Sequence, residues 1–111
     1  MKIDRLKMGS VGVIAPHGAI TQAESDELAA AIETSRQPAA GRVVLDMSDV
    51  PFADSRGLET LLDFADRQRS AGQTAKLAGL SETCREIMDL TELLGDFEVF
   101  DSVDSAVRSF L

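Results

Sequence analysis

The sequence has no tryptophan and no tyrosine, one cysteine and one histidine. Each shortage excludes something. A lone Cys84 permits no internal disulfide and no multi-thiolate metal site, and His17 alone adds little to a ligand set. Without Trp or Tyr, aromatic platforms for stacking bases are poorly supplied. Positive charge is also short: 11 Lys and Arg stand against 19 Asp and Glu, for a formal net charge of −8. Nucleic-acid binding rests on neutralising phosphates with Lys and Arg, so this balance argues against it. No apolar run approaches the roughly 18 residues of a membrane span. The first residues, MKIDRLKMGS, alternate charged and apolar side chains and form no secretory apolar segment. The expectation is an acidic, soluble, cytoplasmic protein with no direct membrane insertion.

What is present is sufficient for one core. Leu, Ile, Val and Phe together number 30 of 111 residues, above the roughly 20% below which disorder is expected. The length suits a single domain over 1–111. Lys2–Met8 and Val11–His17 flank a Gly9-Ser10 turn signal and predict a β-hairpin. Thr21 and Glu24 have capping-box spacing, so the Thr21 hydroxyl is expected to accept from a free amide of a helix over Gln22–Ser35. Val43-Val44-Leu45, within an Arg42–Met47 strand, is continuously apolar, as in a strand covered on both faces. Leu58, Leu61, Leu62 and Ala65 repeat at helical spacing and predict a helix over Arg56–Ala71. A short strand over Thr74–Gly79 follows, then a helix capped by Ser81. Phe97–Phe100 forms a last strand, and Ser102 caps a last helix. The order ββαβαβαβα predicts a largely parallel sheet.

Open α/β sheets bind partners beyond the carboxyl ends of their strands. The loop after Arg42–Met47 therefore carries the interest. It places Asp46, Asp49, Asp54, Ser48 and Ser55 just before a helix start. One reading is plain capping by Asp54 or Ser55, with Gly57 allowing close backbone packing. The other is that Ser55 is a phosphorylation site. A phosphate there would meet free amides and the favourable end of the helix dipole. It would also add about −1.5 to −2 charges to an acidic patch. Arg56 is expected to pair with Asp49, Asp54 or the phosphate. Leu58 and Glu59, in the first helical turn, can reach a partner. Phe52 is expected to fold into the core, Cys84 to be buried rather than reactive, and His17 to have a surface or packing role. No phosphate-binding glycine motif, EF-hand or convincing catalytic triad is present.

The stretch VVLDMSDVPFADSRGLETLL, Val43–Leu62, resembles the signature of STAS domains, the anti-sigma factor antagonists of bacteria. Val11–Thr21, Leu77–Leu94 and Phe97–Phe110 extend the resemblance over nearly the whole chain. The resemblance implies an α/β fold of about five mixed strands, with four to five helices packed mainly on one side. It implies a non-catalytic, cofactor-free protein-binding switch. Its partners would be an anti-sigma factor that is also a serine kinase, which modifies Ser55, and a serine phosphatase that reverses this. Asp46, Asp54, Ser55 and Gly57 would lie at or beside the docking surface, with Thr21 near it. Two positions depart from the pattern: Arg56 replaces a Ser or Thr, and Ile20-Thr21 replaces Leu-Asp. The alternative role within the same family is an adaptor subunit of a lipid-type ABC transporter, or a scaffold in a sensor complex.

Overall fold

The computed structural model describes residues 1–111. The five strands are β1 (Lys2–Met8), β2 (Val11–His17), β3 (Val43–Asp46), β4 (Ala75–Ala78) and β5 (Phe97–Phe100). They lie side by side in that same order. β1 pairs antiparallel with β2, and every other pair is parallel. The helices are α1 (Gln22–Arg36), α2 (Ser55–Ser70), α3 (Glu82–Leu90) and α4 (Val103–Arg108), and a single 3-10 turn spans Leu94–Asp96.

The sequence explains the layering. Side chains alternate across a strand, so the run in β3 supplies both faces. Val43 and Leu45 join Ile14, Leu28, Ile32, Leu61, Phe64, Leu77, Cys84 and Met88 in the main core, beneath α1, α2 and α3. Val44 turns the other way and packs with Val11, Ala78 and Ala106 under α4. Three helices therefore cover one face and α4 alone covers part of the other. Lys76, also on the α4 face, is nearly buried. Its ammonium lies 4.3 Å from the Phe110 ring centroid and 2.7 Å from Ser109 Oγ, which ties the end of α4 to the sheet. β1 is one edge of the sheet, and its Lys2, Asp4, Arg5 and Lys7 make it a poor template for another strand.

The expected caps of α3 and α4 are found: Ser81 Oγ accepts from the Cys84 amide and Ser102 Oγ from the Ser105 amide. The expected cap of α1 is not. Thr21 makes no side-chain bond to a helix amide. Its hydroxyl donates instead to the Glu24 carboxylate, and the amide of Gln22 is satisfied from elsewhere in the chain. α2 starts one residue earlier than its apolar stripe indicates, with Asp54 as N-cap and Ser55 as first helical residue.

Candidate functional site

The segment after β3 runs parallel to the stretch that follows β2. The Gly18 amide donates to the Asp49 carbonyl at 3.0 Å, Ile20 to Phe52 at 3.1 Å, and Asp54 to Ile20 at 3.1 Å. Ile20 and Ala53 form an isolated parallel bridge. This short ladder fixes where α2 begins.

Asp54 is the hinge pin of the arrangement. One carboxylate oxygen accepts from the Gly57 amide at 2.8 Å, capping α2. The other accepts from the Gln22 amide at 3.1 Å, capping α1. One side chain thus stabilises two helix starts with opposite edges of a charged group, where the dipoles of both helices favour it. Gly57 completes the junction. A Cβ there would lie 2.1 Å from the Ile20 carbonyl oxygen, so the helix meets the β2 extension backbone to backbone.

Ser55 is exposed. The Asp54 carboxylate already serves Gly57, and the Asp54 carbonyl receives the Leu58 amide at 2.8 Å. The amides of Ser55 and Arg56 have no protein acceptor, as expected for the first turn of a helix. The first turn of α2 holds no acidic residue. A phosphate on Ser55 would therefore stand beside two free donors.

The other sequence candidates separate. Asp46 is half-buried at the end of β3, and its carboxylate accepts from the Ser48 amide at 3.1 Å. Asp49 is exposed and binds His17 Nδ1 at 2.6 Å. Arg56 does not pair with Asp49 or Asp54. It bonds Glu59 at 3.1 Å, one turn along its own helix, and lies 3.8 Å from Asp26 on α1. Glu59 is closer in the helical register than either aspartate, because i and i+3 share a face. Leu58 is half-buried against the core, so little of it is free for a partner. Thr21 stays near the site. Its hydroxyl holds the Glu24 carboxyl below the usual range, an effect present at neutral pH and lost as pH falls through that lowered value.

Phe52 overturns the expectation that it enters the core. Val50 and Ala53 take the inward positions, and Phe52 is 45% exposed. Phe52→Ala is therefore expected to change stability by less than about 1 kcal/mol. A buried ring such as Phe64 costs about 3–5 kcal/mol on the same truncation. Paired urea titrations of the two variants check the difference. Cys84 is buried as expected; burial pushes its thiol up, partly opposed by Ser81.

Sequence reasoning missed two features: the pairing of His17 with Asp49 and, at 2.8 Å through Nε2, with Asp4, and the capping of α1 by Asp54. Their partners lie 13 and 32 positions away, beyond any local pattern.

Fold and site together define an α/β domain that presents an exposed helix start, fastened on two sides, at the carboxyl end of its sheet. The chain belongs to the STAS domain family, whose pattern covers residues 2–106. It is 26% identical over 110 residues to BtrV of Bordetella bronchiseptica, provisionally named an anti-sigma factor antagonist, covering 99% of this chain and 95% of that one. The fold is shared with an anti-sigma-factor antagonist (STAS) domain protein of Planctomyces limnophilus: TM-score 0.85, 20% identity, 96% of each chain. It is also shared with the phosphorylated form of the Bacillus cell fate determinant SpoIIAA: TM-score 0.73, 16% identity, 99% of this chain and 100% of that one. No helix is long and apolar enough to cross a membrane.

Proposed function

We propose that this protein is an anti-sigma factor antagonist, a protein-binding switch without catalysis of its own, controlled by phosphorylation of Ser55. In this reading the unmodified domain docks on an anti-sigma factor that is also a serine kinase. The kinase phosphorylates Ser55, and a serine phosphatase restores it. The docking face comprises Ser55 and Arg56, with Asp49, Asp54, Asp46 and Thr21 around them and the exposed Phe52 ring beside them. The observation that carries the reading is the setting of Ser55: exposed, in the first turn of α2, with unpaired amides at its own position and the next. Such a helix start accepts a phosphate without unfolding, while the added charge changes what a partner meets. The name of BtrV and the phosphorylated form of SpoIIAA support the same reading.

Incubation with the cognate kinase and ATP is expected to modify Ser55 alone, as read by mass spectrometry. Ser55→Ala should leave partner affinity within about twofold, and Ser55→Asp should weaken it about tenfold or more, roughly 1.4 kcal/mol. Aspartate carries less charge than a phosphate, so the modified protein should bind more weakly still. Equal affinities for wild type and Ser55→Asp would point instead to a constitutive adaptor.

A further inference from the structure

His17 stands at the end of β2 with a carboxylate on each side. Its Nδ1 lies 2.6 Å from Asp49 Oδ2 and its Nε2 lies 2.8 Å from Asp4 Oδ2. An ionised carboxylate only accepts hydrogen bonds, so both contacts are made only if both ring nitrogens carry protons. The ring is then an imidazolium. A neutral ring turns a lone pair toward one of the two carboxylates and replaces a bond with a repulsion. The backbone continues the same junction: Gly18 donates to the Asp49 carbonyl, Ile20 to Phe52, and Asp54 to Ile20. His17–Asp49 is the first rung of this ladder and Asp54, next to Ser55, is the last.

We infer that His17 is a positioning residue for the segment leading to Ser55, bridging Asp49 of that segment to Asp4 of β1 across the end of β2 only while its ring is protonated. The link of this latch to docking rests on the switch reading above; the latch itself does not. The charged groups around the ring are Asp49 from the loop and Asp4 from β1, with Lys2 directly across in the strand register. Hydrogen bonds to Asp49 first and to Asp4 second raise the His17 pKa above its ordinary 6.5. The favourable coupling is thus complete below about 6.5, while the aspartates remain ionised, and is lost as pH rises through the raised value. All three side chains are open to water, so salt screens the coupling. The effect belongs to local opening of the ladder.

NMR on the full chain tests this without any partner. The His17 ring is expected to titrate with a midpoint above 6.5. Protection factors of the Gly18 and Ile20 amides, corrected for intrinsic exchange, should fall as pH rises from about 6.5 through that midpoint, by up to about tenfold for each unit the midpoint exceeds 6.5. Asp49→Asn should return the midpoint toward 6.5 and flatten the pH dependence of Gly18 protection. His17→Gln should remove that dependence altogether while the thermal unfolding transition stays cooperative. A wild-type midpoint at or below 6.5 would overturn the inference, as would amide protection that keeps its pH dependence in His17→Gln. These readouts involve neither kinase nor phosphate, so failure of the latch and failure of the switch are separately visible.

Discussion

Gly57→Ala is expected to destabilise the domain by about 3 kcal/mol or more, the upper range for forcing an extra methyl into a packed junction. For a domain of this size that lowers Tm by roughly 10–20 °C. The added Cβ would lie 2.1 Å from the Ile20 carbonyl oxygen and 3.0 Å from Ile20 Cγ2. No side-chain rotation relieves a clash with a backbone oxygen, so α2 or the Gly18–Ile20 segment must move. That oxygen accepts the Asp54 amide, and movement there also disturbs the cap. Thermal and urea unfolding of the purified variant measure the loss. A change below about 1 kcal/mol would show that the junction yields far more easily than its hydrogen bonds indicate. Gly57 is not in a left-handed conformation, so proximity alone is responsible.

The second large effect is expected at Asp54. Removing a good N-cap costs about 1 kcal/mol, and more where a carboxylate meets a helix dipole in a partly buried setting. Asp54 caps two helices, so Asp54→Ala should cost about 2–3 kcal/mol. Asp54→Asn keeps one acceptor oxygen and places an amide NH2 donor at the other position, so it should cost roughly half as much. The measurement is the urea midpoint of each variant, joined to amide exchange at Gln22 and Gly57. Both amides should exchange faster in Asp54→Ala. If only the Gly57 amide responds, α1 has a cap independent of Asp54.

These two residues show which parts of the structure the sequence discloses. The order of elements along the chain, the double coverage of Val43–Leu45 and the Ser81 and Ser102 caps depend on local alternation or on spacings of three, and they are as expected. The close packing at Gly57 and the exposed Ser55 also follow from the motif around them. The cap of α1 was misread because Thr21 and Glu24 have the right spacing, yet the acceptor for Gln22 arrives from 32 residues on. Arg56 has three aspartates near it in sequence, yet Glu59 shares its helical face and takes the bond. Phe52 was misread because an apolar residue in a loop goes inward only if the backbone turns it there, and Val50 and Ala53 occupy those places. In each case a contact set by tertiary structure decides between locally acceptable choices.

The sheet order bears on how the molecule is made. Each strand sits beside the one that precedes it in the chain, from β1 through β5. No strand has to be inserted between two that are already paired. Each new pairing closes only the loop just synthesised, which keeps the entropy of closure small. On the ribosome the hairpin can form first, and each later helix–strand unit can add to the growing edge as it emerges. Ser55 arrives with α2, when Gly18 and Ile20 are already in place to receive it. The junction can therefore assemble before β4, β5 and α4 exist, so the face proposed for docking is also among the earliest parts to be built.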